Sequence, residues 1–187
     1  MDHVIARLDA DHERVVNELS HELAELLAIE PAGAAQGPPH ITLVSYTDLD
    51  AAAAAAALAP IVRGADGPLA VRAHGYGMFT GDRASDLSLH VMVVRTRALD
   101  RLHRRTHAAL GAAGACLAGN TDPDVWTPHI TLLDRGLTPA KLGRAVEALA
   151  QRPHRSWTVG LTALAVTRRA PGGARRGPAD RFTLALG

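Results

Sequence analysis

Two stretches of the chain carry the same five residues in the same order, Pro39-His40-Ile41-Thr42-Leu43 and Pro128-His129-Ile130-Thr131-Leu132, with the histidines 89 positions apart (129 minus 40). Each is a β-type run, so its side chains alternate between faces. Ile41 and Leu43 point one way, towards covering helices. His40 and Thr42 point the other way, about 6–7 Å apart along the strand. If the second copy faces the first, two imidazoles and two hydroxyls converge on one small volume. That set suits displacement at phosphorus, where attacking and leaving oxygens lie on opposite sides, so one group takes a proton while another gives one. Histidine fits both tasks because its ordinary pKa of about 6.5 lies near neutrality. Each such transfer is commonly worth about 10²–10⁴ in rate. The threonine hydroxyls can donate to the non-bridging oxygens, where charge gathers.

A single His-x-Thr on a strand says little. Two copies in matching slots say more, because copying a packing motif does not explain a titratable group kept twice on the non-core face. A metal site is not expected: no His-Glu-x-x-His occurs, and no carboxylate stands beside either motif at ligand spacing. Cys116, the only cysteine, excludes an intrachain disulfide and a cysteine-based zinc site.

The elements that must hold these residues can be read in order. Val4 to Leu8 reads as a strand, and Asp9 and Asp11 offer caps for a helix with Val15, Leu19, Leu23, Leu26 and Leu27 on one face. His40 to Tyr46 is a strand. A helix follows from near Asp48 through the alanine block, then a strand over Leu69 to Phe79. The order then returns: strand Leu87 to Val94, a helix over 97–113 with Leu99, Leu102, Thr106, Leu110 and Ala113 on one face, and strand Thr127 to Leu133. Thr138 caps a helix with Pro139 at its first position and Leu142, Val146 and Leu149 inward. Strand Trp157 to Thr167 closes the second unit, and Phe182 to Leu186 hairpins back on it. Each half therefore reads strand, helix, strand, helix, strand. The expectation is one domain over 1–187 built by internal duplication, with halves of approximately 1–80 and 87–187. Its class is α/β or α+β, with two sheets or one bent sheet covered by helices.

The 187-residue chain is 47% hydrophobic with a net charge of +1 from 20 basic and 19 acidic residues. That balance argues against holding duplex nucleic acid by bulk charge and leaves room for a small anion or a strand end. Met1 to Glu13 has no apolar secretory core, and Ala51 to Ala59 is too short to cross a bilayer, so a cytoplasmic protein without a membrane partner is expected. Aromatics make up 3% of the chain. Tyr46, Phe79 and Trp126 therefore stand out, although packing is their simplest use.

The paired His-Ile-Thr-Leu motifs resemble the signature of the two-histidine (2H) phosphoesterase superfamily, which includes the bacterial RNA 2′,3′-cyclic phosphodiesterases, also called 2′-5′ RNA ligases. The resemblance spans nearly the whole chain, with Gly77 and Phe79 in the family's glycine–aromatic slot. It implies an α+β fold of two pseudosymmetric lobes, each an antiparallel-rich sheet packed with helices, around a central cleft. It implies His40 and His129 as the acid/base pair, Thr42 and Thr131 as phosphate clamps, and no cofactor or metal. Family members often place an arginine just beyond the second motif; here Leu133 and Asp134 precede Arg135, the matching candidate. Where a glycine-containing turn commonly follows the first motif, this chain has Ser45-Tyr46-Thr47. By strand alternation Tyr46 shares the face of His40, where it could stack on a base.

Three functions follow for such a site. The first is hydrolysis of a 2′,3′-cyclic phosphate on an RNA end or small nucleotide by a monomer, with one histidine as base and the other as acid; the assignment of His129 as base and His40 as acid is favoured, and the sequence leaves the order open. The second is the reverse, 2′-5′ joining of RNA, and the third is a nucleotide-binding module with little turnover. His103 and His107, four apart, read as a solvated helix face among arginines. His90 has no partner visible in sequence. Arg168, Arg169, Arg175 and Arg176 flank a Gly/Pro loop that could guide phosphates.

Overall fold

The sequence pattern becomes eight strands and four helices in the computed structural model, which describes residues 1–32, 37–80, 87–134, 136–152, 156–168 and 180–186. The first half contains β1 (Asp2–Leu8), α1 (Ala10–Leu27), β2 (His40–Thr47), α2 (Ala51–Arg63) and β3 (Leu69–Thr80). The second contains β4 (Leu87–Val93), α3 (Arg97–Ala112), β5 (Cys116–Leu117), a 3₁₀ turn (Gly119–Thr121), β6 (His129–Leu133), α4 (Pro139–Ala150), β7 (Ser156–Arg168) and β8 (Asp180–Ala185). Only the two-residue β5 and the 3₁₀ turn went unforeseen. Residues 169–179 and Arg135 lie outside the described residues, and with them most of the arginine loop.

All strand pairings are antiparallel, in the order β1-β2-β6-β4-β3-β7-β8. The class is α+β. β7 pairs with β3 through Ser156 to Leu161 and with β1 through Leu161 to Arg168, so one long strand ties both sides of the sheet together. β2 and β6 lie side by side between them, which brings the two motifs into contact.

Helix starts follow local chemistry. Asp9 caps α1 by accepting from the His12 N–H at 2.9 Å, and its other carboxylate oxygen accepts from the Gly160 N–H on β7 at 2.9 Å. A Cβ at position 160 would lie 2.5 Å from that oxygen, so the tie requires glycine. Asp50, Thr96 and Thr138 cap the other helices in the same way.

The helix faces are rotated from expectation in three places. In α1 the buried residues are Val16, Leu19, Ser20, Leu23, Ala24 and Leu27, while Val15 and Leu26 are exposed. Small residues let α1 approach the sheet, and the Ser20 hydroxyl donates to the Leu132 carbonyl at 2.7 Å. In α4, Ala145 and Leu149 are buried and Val146 is exposed. In α3, His103 is fully buried, not solvated. Its ring stacks on Trp126 at 3.9 Å, and its Nε2–H donates to the Thr121 carbonyl at 3.1 Å. No described helix is long and apolar enough to cross a membrane.

Candidate active site

Ile41 of β2 and Ile130 of β6, the second residue of each motif, stand directly opposite one another and form the register pair between these strands. Both are fully buried, as are Leu43 and Leu132, while His40, Thr42, His129 and Thr131 are half-buried on the other face. Continuing the antiparallel register sets His40 beside Thr131 and Thr42 beside His129. The histidines are then diagonal neighbours, with Cα atoms about 7–8 Å apart. The structure thus brings these four candidates onto one sheet face, and Phe79 packs against His129 there as a fifth of the seven.

The two imidazoles are held alike. His40 Nδ1 lies 2.8 Å from the Pro38 carbonyl oxygen, and His129 Nδ1 lies 2.8 Å from that of Thr127, each two residues back. A carbonyl only accepts, so both Nδ1 atoms carry hydrogen and both Nε2 atoms are the proton-exchanging nitrogens. Neither Thr42 nor Thr131 spends its hydroxyl on a bond to another described residue.

Both motifs end in the same irregularity. In β2 the pairing with β1 runs from Ile5 opposite Thr42 to Val4 opposite Val44, leaving Leu43 as an extra residue. In β6 the pairing with β4 runs from His90 opposite Thr131 to Leu89 opposite Leu133, leaving Leu132 extra. A β-bulge inverts the facing of everything beyond it. Ser45 therefore comes to the cleft face, where its hydroxyl meets His3 Nδ1 at 2.8 Å. Tyr46 turns to the core and is fully buried. The expectation that Tyr46 shares the face of His40 and stacks on a base is overturned, because strand alternation does not survive the bulge.

On both sides of the bulge, β2 is supported from the second half of the chain. The Trp126 indole N–H donates to the Thr42 carbonyl at 3.0 Å, the Ser45 N–H donates to the Thr121 hydroxyl at 3.2 Å, and β5 pairs with Tyr46 and Thr47. Arg95 lies over the Trp126 ring at 5.7 Å and donates to the Trp126 and Pro123 carbonyls. The segment leading into one motif thereby props up the other.

The surroundings of the histidines differ. Arg7 of β1 faces His40 across the strands and is ion-paired with Glu13 at 2.9 Å. Met92 of β4 faces His129. Two rings close on His129: Phe79, half-buried, edge-on at 4.8 Å, and His90 at 4.4 Å and 72°. Burial holds the His129 pKa below its ordinary value, partly opposed by the bond to Thr127. Burial, then the neighbouring His129, push His90 down to about 3, so it stays neutral. His90 escaped the sequence reading; its spacing of two from Met92 and Ser88 on a strand was the available signal.

A cavity of about 530 Å³ lies on the opposite face between β3 and α4, lined by Tyr76, Met78, Leu142 and Val146. It holds none of the paired-motif residues.

A family model of the 2′-5′ RNA ligase superfamily matches residues 9–173. The chain belongs to that superfamily. The 2′-5′ RNA ligase superfamily comprises phosphoester-processing enzymes, and this member is an enzyme of that broad type. No curated protein matches it. Among solved structures it is similar to TT0787 of Thermus thermophilus (15% identity, 99% of this chain and 97% of that one, TM-score 0.66). It is also similar to E. coli LigT complexed with NADP+ (19% identity, 99% and 96% covered, TM-score 0.58) and to a protein described as a phosphoesterase (20% identity, 98% and 97% covered, TM-score 0.57). LigT is also solved complexed with 3′-AMP, with ATP and with phosphate. At these identities the likeness is one of fold, and it extends over the full length of this superfamily member.

Proposed function

We propose that this protein hydrolyses nucleoside 2′,3′-cyclic phosphates, on RNA ends or small nucleotides, by two-histidine acid/base catalysis without a metal. The observation that carries the reading is the matched pair of imidazoles, each locked with Nδ1 protonated, on adjacent strands joined at Ile41 and Ile130. The cyclic phosphate lies between them. His129 Nε2 takes a proton from water as the water oxygen bonds to phosphorus. The opposite P–O bond breaks in line, and His40 Nε2–H protonates the departing ribose oxygen. One P–O bond forms, one breaks, and the product is a phosphomonoester.

His129 suits the base role because burial favours its neutral form. Thr42 and Thr131 donate to the non-bridging oxygens, and Phe79 and Arg135 contribute to substrate binding. That LigT is solved with 3′-AMP and with ATP supports a nucleotide substrate. We read the chain as a single domain made by internal duplication, since both motifs share sequence, tautomer and bulge.

The test is a panel of 2′,3′-cyclic nucleotides and cyclic-phosphate-ended RNA, assayed with EDTA present and products resolved by isomer. Turnover should persist in EDTA and fall about 10²–10⁴-fold in His40→Ala and in His129→Ala. A loss below about tenfold in both variants refutes the scheme, since neither proton transfer would then matter. The family's name favours a second reading, 2′-5′ joining at the same site by reversal of these steps. Incubation with RNA halves separates it, by joined product.

A further inference from the structure

The ring packed most closely on His129 belongs to neither motif. His90 is nearly sealed from solvent on the cleft face of β4, opposite Thr131 on one side and Gly77 on the other. Its Nε2 is hydrogen-bonded to the Ser88 hydroxyl at 2.8 Å, which fixes its own ring. Phe79, His90 and His129 form a closed triangle with centroid separations of 4.7, 4.8 and 4.4 Å. Opposite His90, Gly77 leaves room for the Met92 side chain: a Cβ there would lie 2.4 Å from the Met92 sulfur.

A single hydrogen bond at Nδ1 fixes the tautomer of an imidazole but leaves the ring free to rock about that bond. Rings packed against two sides remove that freedom. The two contacts are inclined to His129 by 72° and 77°, the edge-to-face arrangement that aromatic pairs favour. We propose that His90 is a positioning residue which, together with Phe79, brackets the ring of His129 and keeps Nε2 aimed at the attacking water. The inference rests on the catalytic reading above. His90 Nδ1 is buried without a hydrogen-bond partner among the described residues, so a second charge there is disfavoured. The bracket thus stays neutral and adds no repulsion when His129 accepts its proton. A flat neutral ring is the requirement, which a phenyl group also meets.

The test compares His90→Ala, His90→Leu and His90→Phe on a 2′,3′-cyclic mononucleotide. Loss of aim should lower kcat about 10–100-fold in the alanine and leucine variants, with KM within about twofold of wild type. His90→Phe should return kcat to within about threefold of wild type. Leucine fills volume without a flat face, so its variant separates packing from bracketing if alanine does not fold. Independently of turnover, ¹H–¹⁵N correlation should show the two His129 ring nitrogens at separate protonated and unprotonated shifts in wild type and His90→Phe. In His90→Leu those shifts should stay apart, because the Thr127 carbonyl still fixes the tautomer, while the order parameter of the His129 ring C–H vectors falls. Wild-type kcat in His90→Leu, a defect confined to KM, or a phenylalanine variant as impaired as leucine overturns the proposal. Failure of the catalytic reading looks different, since His129→Ala itself would then stay active.

Discussion

The two His-Ile-Thr-Leu strands share sequence, tautomer and bulge, yet their walls differ. His40 looks across at Arg7, which is bound to Glu13, whereas His129 looks across at Met92 and is wrapped by Phe79 and His90. The motif itself sets how each imidazole is held, through the carbonyl two residues back. The neighbouring strand decides the electrostatics. Identical residues thereby acquire unlike environments, which is what a pair must have if one member takes a proton while the other gives it.

The sharpest way to break that comparison is to remove each ring and follow the rate against pH. His129→Asn and His40→Asn should each lose about 10²–10⁴ in kcat. A base must be neutral to act, so the rate falls as pH drops through its pKa. Because burial lowers that of His129, the acid limb should lie below the ordinary histidine range of about 6.5. The residual activity of His129→Asn should lack the acid limb and that of His40→Asn the alkaline limb. Loss of the same limb from both would refute the division of roles.

The next effect is on stability. His90 and His103 are buried, with burial the first cause pushing them to about 3 and about 4. Both lie below the unfolded value, so the unfolded chain takes up protons first. Their contribution is fully present above about pH 6.5 and is lost as pH falls from there, towards about 4 for His103 and about 3 for His90, at about 1.4 kcal/mol per pH unit for each. Urea unfolding at pH 7 and pH 5 should show this loss, and His90→Phe with His103→Phe should flatten it. An unchanged slope in the double variant would dismiss these groups.

A smaller effect sharpens the link between the halves. Trp126→Phe leaves the Thr42 carbonyl without its indole donor and should cost about 1–3 kcal/mol in urea unfolding. The smallest is Tyr46→Phe. With the ring in the core, KM for a cyclic nucleotide should stay within about twofold. A tenfold rise would return Tyr46 to the cleft.

Much of this was legible in the residues. Period-two strands at both motifs, the caps at Asp9 and Thr138 and the hairpin of β7 with β8 all follow from local pattern, as does the placing of four polar side chains on one face. Apart from β5 and the 3₁₀ turn, what failed were faces, not elements. Tyr46 was misplaced because alternation was carried through Leu43-Val44, and Leu132-Leu133 repeats the same signal. Two consecutive apolar residues after each motif mark the extra residue. His103 was taken for surface because its neighbours Arg101, Arg104 and Arg105 are charged, but Trp126, distant in sequence, supplies a stacking partner. His90 needed strand register, which no single strand reveals.

The Ile41–Ile130 pair gives the molecule a fixed gauge. The reactive gap is measured across main-chain register, on either side of one seam. Rims can lengthen, shorten or change charge to admit other nucleotides, and the spacing of the imidazoles will not drift. Substrate range and chemical competence are therefore separable by design, and variants that alter the first need not erode the second.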